Sequence, residues 1–161
     1  METNKKNSNI LNDLIKINND RVQGYDAAIK ETKDEDEDLR TSFRKMQSES
    51  EDYLDELKSQ VTELGGEAAT SATLPGEIYR VWMDAKTAIA GKSRHSVLSA
   101  CEFGEDAAQR AYKTALEAED LLPGVRTMIA KQQRALKTSH DLIRNWRDRE
   151  ADKPKEKSTA F

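Results

Sequence analysis

Apolar residues recur at three- and four-residue intervals through four long segments of the chain. Since this spacing puts them on one face of an α-helix, the pattern predicts four amphipathic helices. They cover roughly residues 9–32, 39–64, 93–120 and 123–150. A shorter stretch of the same pattern, over residues 76–90, predicts a minor helix between the second and third long ones.

Residues that commonly start or end helices flank these segments. Gly65 and Gly66 stand where the second pattern stops, and glycine is the usual residue just after a helix C-terminus. Ser93 suits the N-cap of the third helix. Pro123 suits the first turn of the fourth, because its missing N–H would have no helical partner there.

The lengths of the connections predict the topology. Short links join the first helix to the second and the third to the fourth, so each pair should be antiparallel neighbours. The long link in the middle contains the minor helix and would leave the second and third helices parallel. We therefore predict an all-α, antiparallel four-helix bundle with ferritin-like connectivity and a long helical crossover between helices 2 and 3. The bundle covers residues 9–150, between a flexible N-terminus over residues 1–8 and a disordered charged tail over residues 151–161.

The composition narrows the class of protein. The chain has 161 residues, enough for one domain, and 35% of them are charged, against roughly a quarter in an ordinary globular protein. No segment approaches the ~20 apolar residues of a membrane helix, and the single cysteine, Cys101, excludes an intramolecular disulfide. A net charge of -4 gives no general attraction to nucleic acid. Because no apolar signal segment opens the chain, we expect a cytoplasmic protein with neither membrane nor nucleic acid as a partner.

Polar residues interrupt the apolar helix faces near the middle of the predicted bundle, within roughly two helical turns of one another. A buried polar group without a partner costs about 1–3 kcal/mol and a charge costs more, so these residues should satisfy one another or bind a metal ion. The predicted buried polar network consists of Asn18, Arg21, Tyr25, Ser50, Tyr53 and Gln132. The residues able to ligate a metal are Glu49, Glu102, Glu105 and His140.

Short motifs in all four predicted helices and in the crossover carry a resemblance to a known family. They include Asn18-Asn19-Asp20-Arg21, Arg80-Val81-Trp82, Gly104-Glu105-Asp106 and His140-Asp141. In these motifs the chain resembles an uncharacterised bacterial family, a domain of unknown function that is grouped with the ferritin-like four-helix bundles. The resemblance covers about residues 9–149 and implies the fold without implying an activity.

The sequence departs from the metal-binding pattern of ferritin-like iron proteins. Those proteins use a Glu on each of two helices and a Glu-x-x-His on each of the other two. No Glu-x-x-His occurs in this chain, and Lys137 stands three residues before His140. The first helix offers Asn18 and Arg21 where a carboxylate would be needed, and the arginine supplies the positive charge that a metal would otherwise supply. This pattern favours carboxylates paired with an arginine.

Three hypotheses about function stay open at this point. In the first, which we favour, the chain is a non-catalytic cytoplasmic stress or interaction protein whose buried polar network fixes the helix register, without a cofactor. In the second, it is a metal-binding ferritin-like protein with a di-iron or similar centre, which holds iron, manganese or zinc through the four candidate ligands. No phosphate-binding loop, serine triad or dinucleotide motif favours an enzyme. In the third, the chain is an interaction module that binds partners through the crossover helix, and a homo-oligomer through the bundle or the crossover-helix surface is one such assembly.

Overall fold

The computed structural model of the protein describes residues 2–70 and 93–152, and within these ranges it is all-helical without a strand. Four long helices are present, as the apolar pattern predicts. They are α1 (Glu2–Glu31), α2 (Glu37–Glu63), α3 (Arg94–Leu116) and α4 (Pro123–Asp152). The predicted crossover helix over residues 76–90 lies outside the described residues, and so does nearly all of the predicted tail.

The N-terminus differs from the prediction, because α1 begins at Glu2 and includes the segment that we expected to be flexible. Asn7 explains the early start. Its buried side-chain amide donates to the carbonyls of Thr3, at 2.8 Å, and Asp120, at 3.0 Å. Its Oδ1 accepts from the backbone N–H of Leu122 at 3.0 Å. Hydrogen bonds to the α3–α4 connection therefore stabilise the first turns of α1. The spacing of apolar residues does not predict such polar contacts.

Glycine ends α2 in a Schellman motif. Gly65 has a φ of +83°, its N–H bonds the Thr62 carbonyl at 3.0 Å, and the Gly66 N–H bonds the Val61 carbonyl at 3.0 Å. At the other predicted helix starts, Ser93 caps α3 by accepting from the Ser96 N–H, and Pro123 is the first residue of α4. The helix boundaries that the sequence marks with these residues are thus confirmed.

We expect Gly65→Ala to lower the free energy of unfolding by about 1–2 kcal/mol, because a Cβ is unfavourable in the left-handed conformation. Urea unfolding followed by circular dichroism would measure the loss. Gly124→Ala is the matched control, since a Cβ there meets nothing within 4 Å. It should be neutral or slightly stabilising. Equal losses in both variants would contradict the argument from backbone conformation.

Inter-helix contacts run in opposite chain directions within each sequential pair of helices. The contacting pairs are Tyr25 with Phe43 and Asn18 with Ser50 for α1 and α2, and Glu102 with Arg147 and Leu116 with Arg126 for α3 and α4. Helix α1 also packs along α3, whereas α2 and α4 contact each other little. A shallow groove therefore separates α2 from α4.

The interior consists of two apolar clusters with polar residues between them. One cluster contains Phe43, Leu98 and Ile143, and the other contains Leu14, Leu57 and Ile129. Along α1, α2 and α3, four buried polar side chains that hydrogen-bond to one another lie between the residues that belong to the two clusters. Those side chains form the candidate site. Its members on these three helices are Asn18, Arg21, Ser50 and Glu105.

Candidate functional site

Arg21 lies at the centre of the polar layer, with only 1% of its surface exposed. Its Nη2 donates to Glu105 Oε2 at 2.8 Å and to Glu49 Oε1 at 3.1 Å, and its Nε donates to Glu105 Oε1 at 3.1 Å. Its Nη1 donates to Ser50 Oγ at 2.8 Å and to the Met46 carbonyl at 3.0 Å. All five N–H groups of the guanidinium therefore have acceptors.

The charge of Arg21 is stabilised by the carboxylates around it. Burial is the largest single influence and disfavours the charged form, but the interactions with Glu105, Tyr25 and Glu49 together outweigh it, and the pKa of the guanidinium rises above its ordinary value. Glu105 is fully buried, and it also accepts a hydrogen bond from the Tyr25 hydroxyl. Burial and the neighbouring carboxylate raise the pKa of Tyr25 well above its usual range, so this hydroxyl keeps its proton and remains a donor.

A chain of hydrogen bonds leads from the guanidinium to the surface, and every donor in it points the same way. Ser50 Oγ, which accepts from the arginine, donates to Asn18 Oδ1 at 2.9 Å. The Asn18 amide donates to the Tyr112 hydroxyl at 2.9 Å, and this hydroxyl donates to Gln132 Oε1 at 2.6 Å. The Gln132 amide donates to Glu56 Oε1 at 2.9 Å, on an exposed side chain. The network therefore joins all four helices.

Glu49 is a second point at which the network reaches the solvent, between α2 and α4. Its side chain is 25% exposed, and besides Arg21 it accepts from Tyr53 at 3.3 Å and from Ser139 at 3.0 Å. It lines a groove of about 430 Å³ between α2 and α4, together with Leu142 and other side chains. One carboxylate bound to the buried arginine is thus reached by water.

The six side chains of the predicted network meet in this layer. Three further members are Glu56, Tyr112 and Ser139. Tyr112 can be placed in the layer from the sequence, because it lies on the apolar face of α3 with a polar group at its end. Glu56 and Ser139 were not among the sequence candidates, although Glu56 stands two turns after Glu49 on α2 and a helical period could have found it.

The four candidate metal ligands occupy two different places. Glu49 and Glu105 both bind Arg21 in the polar layer. Glu102 and His140 meet at the interface of α3 and α4, where His140 Nε2 lies 3.2 Å from Glu102 Oε2. Asp106, which the sequence analysis did not single out, joins them with its Oδ1 3.7 Å from the same nitrogen.

The second nitrogen of His140 faces another carboxylate. Nδ1 lies 3.0 Å from Asp141 Oδ1, and Lys137 Nζ lies 2.8 Å from Asp141 Oδ2. The hydrogen bonds from Lys137 and His140 lower the pKa of Asp141 to about 2, so its side chain is a carboxylate at neutral pH. Among the described residues, the group of ligand atoms within 4.8 Å of one another is that of Glu102, Asp106 and His140.

The comparison with protein families connects most of this layer to a known group of sequences. Residues 6–118 match the family described as Domain of unknown function (DUF2383). The chain belongs to this family. Comparisons with curated proteins and with solved structures give no match. The DUF2383 match covers Arg21, Glu49 and Glu105 but ends before α4, so Gln132 and His140 lie outside the matched residues.

Two further observations concern the DUF2383 chain. Within residues 2–70 and 93–152, no helix combines the length and the apolar character that crossing a membrane requires. Cys101 is buried in the apolar cluster next to the polar layer. Burial and the charge of Glu105 raise the pKa of its thiol well above the usual range, so the residue lacks the thiolate character of a nucleophile.

Proposed function

We propose that this DUF2383 protein is a non-catalytic four-helix bundle in which an arginine takes the central position that a metal pair takes in ferritin-like bundles. The reversed contacts within α1–α2 and α3–α4 support antiparallel pairs joined by a long crossover, which is the ferritin-like connectivity. In this proposal the chain is a cytoplasmic stress or interaction protein, and its polar layer keeps the helices in one register.

The observation that carries the proposal is the position of Arg21. Its guanidinium binds Glu49 and Glu105, the two core carboxylates that a metal would need. A divalent ion placed there would face a fixed positive charge in a poorly solvated layer, where repulsion is much stronger than in water. The donor groups of this layer therefore do not fit a di-iron or di-manganese centre, and we derive no chemistry through one.

The direction of the hydrogen bonds explains how the layer would fix the register. Ser50 donates a hydrogen bond to Asn18, Asn18 donates to Tyr112, and Tyr112 donates to Gln132. In each case the donor and the acceptor lie on different helices. If one helix slid along its neighbour by a single residue, several buried donors would lose their acceptors at about 1–3 kcal/mol each. One packing of the four helices is therefore preferred, as a protein that presents a defined surface requires.

An iron-loading experiment tests the proposal. The chelator-treated protein is mixed with Fe(II) in air, and the oxidation rate and bound iron are measured for the wild type and for Glu105→Gln. We expect the oxidation rate to equal that of buffer alone and Glu105→Gln to leave any bound metal unchanged. Rapid Fe(II) oxidation with two irons per chain, lost in Glu105→Gln, would establish the metal-centre hypothesis instead. The homo-oligomer stays one hypothesis from the sequence, which sedimentation equilibrium would test directly.

A further inference from the structure

A second cluster of polar side chains, outside the polar layer, lies between α3 and α4. Glu102 and Asp106 are one helical turn apart on α3, so their carboxylates lie on the same face. His140 approaches them from α4, with Nε2 3.2 Å from Glu102 Oε2 and 3.7 Å from Asp106 Oδ1. The polar-layer mechanism uses none of these three side chains.

The imidazole of His140 points to what the cluster would bind. A carboxylate oxygen can only accept a hydrogen bond, so the contact of Nδ1 with Asp141 assigns the proton to Nδ1. In the neutral imidazole, Nε2 then carries the lone pair. This nitrogen is inaccessible to solvent and makes no hydrogen bond, and the His140 side chain is only 10% exposed. A buried lone pair that faces two carboxylates is unfavourable unless a cation, either a proton or a metal ion, lies between them.

The free oxygen of each carboxylate is also directed at this point. Arg147 holds Glu102 through Oε1, at 3.2 Å, and Arg110 holds Asp106 through Oδ2. Oε2 of Glu102 and Oδ1 of Asp106 are left toward the imidazole. Metal ligands are commonly oriented in this way by hydrogen bonds to their second atoms, and an Asp bound to the far nitrogen of a ligating His is typical.

The distances suit a small divalent ion. Zinc forms bonds of about 2.0–2.2 Å to imidazole nitrogen and carboxylate oxygen, so neighbouring ligand atoms of a tetrahedral site are about 3.3–3.6 Å apart. The two distances from Nε2, 3.2 and 3.7 Å, lie on either side of this range. Two carboxylates supply negative charge to the ion, and the arginines that share them, Arg110 and Arg147, are more exposed than the buried Arg21 of the polar layer. Because Asp106 is 47% exposed, water can reach the fourth position.

We propose that Glu102, Asp106 and His140 bind one divalent transition-metal ion of the zinc class at the α3–α4 interface. The site is independent of the metal-free polar layer, and it replaces the four-ligand set expected from the sequence. Two of those four residues remain ligands, and Asp106 is new. With one imidazole nitrogen among its donors, the site should prefer Zn²⁺ over Mg²⁺, which favours oxygen ligands throughout.

The test is a Zn²⁺ titration of the chelator-treated full chain by calorimetry, with wild type, His140→Gln, Asp106→Asn and His95→Gln. His95→Gln is the matched control, because it makes the same substitution at the other histidine of the chain. We expect one Zn²⁺ per chain, a loss of affinity of at least tenfold in His140→Gln and Asp106→Asn, and an unchanged affinity in His95→Gln. Asp106 is half exposed, so its variant stays informative if His140→Gln fails to fold.

Three results would overturn the proposal. The first is a wild type that binds no Zn²⁺ at 100 times the protein concentration, which would leave the cluster as an ion pair only. The second is equal affinity of Asp106→Asn and wild type, which would place the ion elsewhere. The third is displacement of Zn²⁺ from the wild type by excess Mg²⁺ as readily as from a chelator that has only oxygen donors. That result would mean that the imidazole is not a ligand. Co²⁺ substitution, with visible absorption bands of a tetrahedral ion that His140→Gln abolishes, would support it independently.

Discussion

Arg21→Met should lower the free energy of unfolding by about 3–5 kcal/mol, the largest effect that we expect from a single substitution in this chain. Methionine keeps much of the side-chain volume but removes the cation, and Glu105 is then buried without its main partner. The hydrogen bonds that Ser50 and Met46 accept are also lost. Urea unfolding at neutral pH, followed by far-ultraviolet circular dichroism, would measure the difference.

Two variants separate the buried charge from other effects of losing an arginine. Arg44→Met removes an exposed arginine from the same bundle, where the ion pair with Glu37 at 3.3 Å should be worth less than about 1 kcal/mol. The double variant Arg21→Met with Glu105→Gln removes both charges and should recover a large part of the loss. A loss in Arg21→Met no larger than that in Arg44→Met would contradict the central role of the guanidinium.

Asn18→Leu should have the second largest effect, about 1–3 kcal/mol for each buried polar group that it leaves without a partner. Leucine has nearly the same size and is apolar, so the change removes hydrogen bonds with little change of volume. Ser50 would lose its acceptor, and the Tyr112 hydroxyl would lose its donor. Chemical unfolding of the purified variant gives the value.

The control for this prediction is Asn145→Leu, which makes the same change at an exposed position of α4 and should alter stability by less than about 0.5 kcal/mol. A double-mutant cycle of Asn18→Leu with Ser50→Ala should be clearly non-additive, because the two side chains share a hydrogen bond. Additive losses would mean that the two residues contribute independently, and the idea of a connected layer would fail.

The polar layer could be anticipated because each of its members breaks an apolar stripe at a position that the helical period fixes. Counting residues from the ends of the helices predicts the position of each residue along the bundle axis, and this count places Arg21, Ser50 and Glu105 at one level. The same count does not predict how far each helix is rotated about its own axis. Glu102 and Glu105 are three residues apart and therefore differ by about 60° around α3. Glu105 faces α1, whereas Glu102 faces α4 and joins His140.

The start of α1 was missed for a different physical reason. Residues 2–8 contain no apolar side chain, so a method that depends on hydrophobic period finds no helix there. Their order comes from contacts made by Asn7 with a connection more than a hundred residues later in the chain. Asp106 was missed likewise, because an exposed carboxylate one turn after Glu102 looks like ordinary solvated surface until α4 places an imidazole beside it.

The separation in sequence between Arg21 and Glu105 has a consequence for folding kinetics. Ser50 is 29 residues from Arg21 along the chain, whereas Glu105 is 84 residues away. The α1–α2 hairpin can therefore collapse while its guanidinium is still hydrated, because the main counter-ion has not arrived. We expect closure of the long loop that brings α3 into place to be the slow step, with dehydration of the arginine coinciding with it. Substitutions that weaken the pair of Arg21 with Glu105 should then slow the overall folding, while formation of the α1–α2 hairpin changes little.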